Sequence, residues 1–180
     1  MAAFELVLED GSGKTNSNSY ASAAEFLAYM WRVPAAYRAA FDTADVFLRE
    51  EVLIWATHLL RVWTLWPCGS YRKYEHQALD FPRLNVVDQD GFLVGEASVP
   101  PLLKDATCQL AFELLKSDLN VEPARGLHSI TVGPISLVFD TAHPFNTSRV
   151  IPRAVWVTLA PYGAVMRGTP RFRSEPVYRA

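Results

Sequence analysis

Between residues 77 and 119 the chain changes its backbone preference several times in quick succession, and few folds accommodate that order. Asp80-Phe81-Pro82-Arg83 makes a compact aromatic–proline turn, and residues 84–87 then read as extended. Asp88-Gln89-Asp90-Gly91 is a tight turn, because glycine accepts the positive φ that such turns require. Residues 92–94 extend again. A helix then opens near Pro100-Pro101, with Ser98 as a candidate cap upstream, and runs to about Leu119. Prolines suit a first helical turn, whose N–H groups lack intrahelical partners. Leu103, Ala106, Leu110 and Leu114 recur at helical spacing, with Leu102 and Leu115 widening the stripe, while Lys104, Asp105, Gln109, Glu113 and Lys116 take the other side. This helix is the expected centre of the core.

Upstream, residues 4–8 (FELVL) read as a short strand and residues 10–19 as a polar loop. Gly13-Lys14-Thr15 after a strand invites a phosphate-loop reading. That motif needs a glycine at position 8, where leucine stands, so the polar loop is the better account. Residues 22–31 form a helix, with Ser22 and Glu25 at capping-box spacing, and Pro34 ends it. Residues 35–42 add a turn or two around Tyr37 and Phe41. Residues 43–64 form the second main helix. Leu48, Val52, Trp55, Leu59 and Val62 make one stripe, and Leu53, Ala56, Leu60 and Trp63 lie beside it, a width that predicts burial against more than one neighbour. His58, without a partner motif, reads as a packed or surface histidine rather than a ligand.

Trp66-Pro67-Cys68-Gly69-Ser70 breaks that helix. Tyr71, Arg72, Lys73 and Tyr74 then interleave bases with aromatics, the composition of a platform on which single-stranded bases stack while cations follow phosphates. Further on, residues 120–126 are a linker. Residues 127–140 read as a β-hairpin: His128, Ile130 and Val132 alternate, Gly133-Pro134 turns, and Ile135, Leu137 and Phe139 alternate on the return. Ile151-Pro152-Arg153 opens a third helix through Leu159, which Pro161 and Gly163 stop. Residues 165–180 lack periodicity but keep Phe172, Val177 and Tyr178 among four arginines, a composition suited to an arm that orders on a partner.

Catalytic chemistry is not encoded in any motif we can find, nor is a cofactor fingerprint. Asp88, Asp90 and Gly91 distantly resemble a calcium loop, yet the downstream ligand positions are missing and turn formation explains the acids better. Two distant cysteines and four scattered histidines suggest neither a disulfide framework nor a metal site; Cys108, inside the central helix, reads as a small buried hydrophobe. Net charge is −2, so bulk electrostatics do not favour nucleic acid, although residues 1–51 carry eight acids against four bases and residues 164–180 carry four arginines against one acid. The start shows no signal-peptide pattern, and no apolar run approaches the roughly 20 residues that span a bilayer. The expectation is synthesis in the cytosol and no membrane partner.

Gln77, Ala78, Leu79, Phe81, Pro82, Arg83, Val87, Asp88, Asp90, Gly91, Pro100, Lys104, Ala106, Thr107, Leu110 and Ala111 also form a pattern. With Leu8-Glu9-Asp10-Gly11-Ser12-Gly13, Asn16-Ser17-Asn18-Ser19-Tyr20, Ala56-Thr57 with Leu59-Leu60, and residues 132–139, they resemble a family of small tailed-phage proteins, the DnaT-like single-stranded-DNA-binding proteins, encoded among head and tail genes. The resemblance departs at residues 30–47 and 63–74, and the tail after Ala164 has no counterpart.

The resemblance implies a head–tail adaptor in the virion neck, a ring of about twelve copies built by heterologous contacts beneath the portal protein. Genomic DNA would pass through it without sequence-specific binding. The arm residues Arg167, Arg171, Phe172, Arg173, Tyr178 and Arg179 are the expected portal contacts, and Ile130, Val132, Ile135 and Leu137 the expected contacts with a neighbouring subunit or tail protein. The alternative is a single-stranded-DNA-binding replication accessory protein acting through Tyr71, Arg72, Lys73 and Tyr74. The expected fold is mainly α: one adaptor domain over residues 1–164, a small helical bundle with a β-hairpin at about 127–140, followed by an extended arm over residues 165–180.

Overall fold

In the computed structural model, which describes residues 5–116, 129–132, 135–138 and 151–166, the chain enters through a loop wound around a carboxylate. Glu9 is fully buried. Its Oε1 accepts the backbone N–H groups of Gly11 and Gly13, both at 2.9 Å; its Oε2 accepts the Lys14 N–H at 3.0 Å and the Ser17 hydroxyl at 2.9 Å. A buried carboxylate is sustainable only with such donors. Gly11 and Gly13 hold φ of 99° and 75°, which turns neighbouring N–H groups inward into an anion nest. The strand expected over residues 4–8 therefore shrinks to one parallel bridge, Leu8 to Ser19. The Gly-Lys-Thr cradle is filled by the chain's own side chain, and Lys14 Nζ turns back to the Leu8 carbonyl and to Asp10, both at 2.9 Å.

Helix α1 (Ala23–Met30) starts as its sequence predicts. Ser22 Oγ accepts the Glu25 N–H, and Glu25 in return accepts the Ser22 N–H at 2.8 Å. Glu25 also pairs with Lys104 at 2.6 Å, tying this helix end to the central helix. A 3-10 turn (Ala35–Tyr37) and the short α2 (Ala39–Thr43) follow. Helix α3 (Val46–Trp63) is capped by Asp45, whose carboxylate accepts the Leu48 N–H at 2.7 Å.

The face of α3 differs from the expectation. Leu53, Ala56, Thr57, Leu59 and Leu60 are buried, whereas Leu48, Trp55 and Val62 of the first stripe stand exposed. Both stripes are apolar, so amphipathicity alone could not choose between them. The buried one carries small residues, Ala56 and Thr57, and so does the facing helix, with Ala106, Thr107 and Ala111. Small side chains let two helices approach closely; Trp55 would hold them apart. His58 lies on the exposed side, stacked on Trp55 at 5.0 Å between ring centroids.

After α3 come β1 (Thr64–Leu65), β2 (Tyr71–Arg72) and β3 (Arg83–Leu84), the last two paired antiparallel. The turn at residues 88–91 forms as read: Gly91 N–H reaches the Asp88 carbonyl, and Val94 N–H reaches Val86. Asp88 Oδ1 accepts the Asp90 and Phe92 N–H groups, which accounts for this acid as a turn former. Helix α4 (Pro101–Lys116) is the centre of the core, packing against α1, α2, α3 and, later in the chain, α5. Leu103, Ala106 and Leu110 are fully buried, as its periodicity predicts, and Leu102, Leu114 and Leu115 pack at the margin. Ser98 does not cap it: its hydroxyl donates to the Gly95 carbonyl, and the first α4 amides bond to Pro100. Cys108 is buried, and burial pushes its thiol up to about 12.

The hairpin forms within its expected span, as β4 (Ser129–Val132) antiparallel to β5 (Ile135–Val138). Helix α5 (Arg153–Leu159) closes the core with Ile151 just before it and Val155 and Leu159 within it, all fully buried. Gly163, with φ of 66°, turns the chain under Pro67; a Cβ there would come within 2.9 Å of Pro67 Cγ. The turn leads into β6 (Val165–Met166), which pairs antiparallel with β1. The fold is thus mixed, with helices dominant and short antiparallel pairs at their ends.

Two outcomes test these supports. Glu9→Gln replaces an acceptor with a donor inside the nest, and urea unfolding should show a loss of about 3 kcal/mol, with the exposed Asp10→Asn costing clearly less. Burial alone would raise the Glu25 carboxyl, but bonds from Lys104 and Ser22 hold it below its ordinary 4.5. Its stabilisation is therefore present above that pH and fades as pH falls through the lower folded value. Glu25→Gln should flatten this part of the acid limb of a stability–pH curve.

Candidate nucleic-acid interface

Tyr71, Arg72, Lys73 and Tyr74 come together at the start of a hairpin whose return strand is β3. Tyr71, Arg72 and Tyr74 are exposed and Lys73 is half-buried. Lys73 Nζ lies 5.4 Å from the centroid of the Tyr74 ring. Two phenol rings and two cations therefore share one short segment with open solvent before it.

The segment is held from behind by Gln77, itself buried. The Gln77 side-chain carbonyl accepts the Tyr74 N–H at 2.9 Å, and its NH2 donates to the carbonyls of Leu79 at 2.7 Å and Pro82 at 3.0 Å. Lys73 N–H donates to the same Pro82 carbonyl at 3.1 Å, and Arg72 Nη1 reaches the Gln77 carbonyl at 3.3 Å. One amide side chain thus satisfies the inside of the whole turn. The Phe81-Pro82 bond is cis.

Phe81 fills the space beneath. It is fully buried, with Trp66 meeting it edge-on at 4.7 Å. Trp66 Nε1 donates to Asp80 at 3.2 Å. Tyr20, from the N-terminal loop, reaches across: its buried hydroxyl accepts the N–H groups of Asp80 at 2.9 Å and Phe81 at 3.3 Å. Burial, reinforced by the nearby Asp80 charge, raises the Tyr20 phenol well above its ordinary value, so it stays neutral. Arg83 completes the frame by donating to the Ser70 carbonyl at 2.9 Å and the Ser70 hydroxyl at 3.2 Å. Burial lowers its guanidinium below the usual value.

The N-terminal loop is the second support. Ala78 N–H donates to the Lys14 carbonyl at 2.9 Å. The Tyr74 ring lies against Gly13, where any Cβ would run into it. The residues 71–74 were legible from their composition. Their supports were not: Tyr20 reaches the turn from sixty residues away, and Glu9 and Gln77 act on backbone groups that carry no side-chain pattern, although an acid two and four positions before two glycines, as Glu9 stands to Gly11 and Gly13, is a usable signal of a nest.

The other expected sites fall elsewhere. Ile130 lies opposite Leu137, and Val132 opposite Ile135, in the β4–β5 register. Arg167, Arg171, Phe172, Arg173, Tyr178 and Arg179 lie outside the described residues. Among the described residues no group of three or more metal-ligating side chains comes together, and no helix is long and apolar enough to cross a membrane.

A family model described as "Putative DnaT-like ssDNA binding protein" matches residues 4–173. No curated protein and no solved structure matches the chain.

Removing the Tyr20 hydroxyl should expose how far this frame depends on it. Tyr20→Phe leaves two amides without their acceptor, and a loss of about 1–3 kcal/mol is expected in urea unfolding, with faster hydrogen exchange at Asp80 and Phe81.

Proposed function

We infer that this chain, which belongs to the DnaT-like single-stranded-DNA-binding protein family, binds single-stranded nucleic acid through Tyr71, Arg72, Lys73 and Tyr74. The observation that carries the reading is the exposure of two tyrosines on either side of two cations, Tyr71-Arg72-Lys73-Tyr74, in one short segment whose backbone is held in place. Stacking on aromatic rings tolerates any base, and the neighbouring cations take the phosphates. Because the segment is held by Gln77, Pro82 and the Glu9 loop, little ordering remains to be done on binding. With a net charge of −2, attraction is local to this edge rather than spread over the molecule.

A fluorescence titration with a labelled oligonucleotide tests it. Tyr71→Ala, at an exposed position, should weaken binding about tenfold, the worth of one stacked base. Arg72→Ala should lower the slope of log affinity against log salt by about 0.7, the share of one phosphate contact on a single strand. Absence of binding at low salt removes the proposal.

A different observation favours a second reading. Leu27, Trp31 and Tyr37 stand exposed around α1 and the 3-10 turn, and the Arg38 guanidinium lies over Trp31 at 4.5 Å. Grouped aromatic residues beside an arginine have the makings of a protein interface. This supports the head–tail adaptor: a ring of copies between portal and tail proteins in the virion neck, extending the DNA channel. There the arm residues Arg167, Arg171, Phe172, Arg173, Tyr178 and Arg179 meet the portal, and Ile130, Val132, Ile135 and Leu137 meet a neighbour or tail protein. Deleting residues 167–180 should abolish capture by purified portal rings with the helical circular-dichroism signal intact; capture that survives removes the arm from this role.

A further inference from the structure

Tyr20 joins the candidate interface to helix α3. Its backbone N–H donates to the Thr57 hydroxyl at 3.4 Å, while its own hydroxyl holds the turn at Asp80 and Phe81. One residue therefore spans the gap between α3 and the β2–β3 hairpin. Arg61 stands one turn beyond Thr57, in the last turn of α3, and is exposed. Burial and the Asp80 charge raise the Tyr20 phenol and the Arg61 charge opposes them, so Arg61 lies near that hydroxyl. On the hairpin side Arg72 and Arg83 stand opposite each other across the β2–β3 pair. Burial lowers the Arg83 guanidinium and Asp80 opposes it. Three arginines thus surround one carboxylate, which leaves positive charge in excess between the end of α3 and the 71–74 edge.

Beyond Arg61, the outer side of α3 carries the other kind of group that a single strand needs. Trp55, His58 and Arg61 recur every three positions and all are exposed, so they form one row. The Trp55 and His58 rings are stacked, 5.0 Å between centroids and 13° from parallel. Trp55 remains 42% exposed beside its partner. An indole already held flat against an imidazole loses little freedom when a base stacks on it. Glu51, exposed one turn before Trp55, repels phosphate and closes the row at that end.

We propose that a single strand bound at Tyr71–Tyr74 continues past Arg61 onto the Trp55–His58 pair, with Arg61 taking a phosphate and Trp55 a base. The inference rests on the reading of residues 71–74 as a nucleic-acid edge and adds a second stacking site to it. Arg61 and Trp55 are about 9 Å apart along the helix, at 1.5 Å per residue, so they serve neighbouring parts of one strand. The chemistry at both ends is the same, rings for bases and guanidinium groups for phosphates, and it selects single strands without selecting a sequence.

Fluorescence anisotropy of a labelled strand of about sixteen nucleotides, the upper end of common site sizes, tests the extension on the full chain. Trp55→Ala should weaken binding about tenfold, whereas Trp55→Phe keeps most of the affinity because a ring remains. Arg61→Gln should lower the slope of log affinity against log salt by about 0.7. Leu48→Ala, on the same side of α3 but beyond Glu51, should bind as wild type does. A second measurement needs no variant: a strand carrying bromodeoxyuridine, irradiated with the wild-type chain, should form an adduct with the peptide that holds Trp55 and His58. Equal affinity of Trp55→Ala and wild type, or adducts confined to residues 71–74, overturns the extension and leaves the hairpin edge in place. A wild-type chain that binds no strand at low salt removes both.

Discussion

The Glu9 carboxylate is the contact on which the N-terminal third depends. A charge taken fully out of water is unfavourable by several kcal/mol unless donors replace the solvent, and here three amides and a hydroxyl do so. The cost of burial becomes a device for shape. The loop must keep both glycines at positive φ for the donors to converge, and that conformation sets where Lys14 presents its carbonyl to Ala78 and where Gly13 lies beneath Tyr74. The same loop leads to Ser19 and Tyr20, whose hydroxyl holds the turn at Asp80 and Phe81. A charged group at one end of the chain thus fixes the backbone of a hairpin more than sixty residues away.

Local chemistry was well expressed in the sequence. The capping box of α1, the Asp88–Gly91 turn, the stripe of α4, the proline at the start of α5 and the paired strands of residues 129–138 each follow from interactions between residues a few positions apart. What could not be read depends on distance. For α3 two apolar stripes competed, and the small residues on its partner helix decided between them. The two-residue strands β1 and β6 carry no pattern of their own; the Gly163 turn against Pro67 creates their pairing. In the candidate interface the aromatic and basic residues were visible, while the phenol, amide and carboxylate that position them were not, since Tyr20 acts from sixty residues away and Gln77 and Glu9 act on backbone groups that leave no side-chain pattern. The arm residues expected to meet the portal lie outside the described residues.

The surface divides its apolar groups unevenly. Around the 71–74 edge the aromatics are accompanied by cations and backed by a dense polar frame, which suits a ligand that is itself charged and planar. On α1 and along α3 the exposed aromatics, Trp31 and Trp55, sit on helices whose other sides are core, with Arg38 lying over Trp31.

The pairing of β1 with β6 joins Thr64 to Met166, and α5 lays Ile151, Val155 and Leu159 into a core otherwise made by α1, α3 and α4. The core therefore closes only when elements on both sides of α4 in the sequence have packed onto it. A chain interrupted before Ile151 would present that apolar side of α4 to whatever chaperone or protease meets it first.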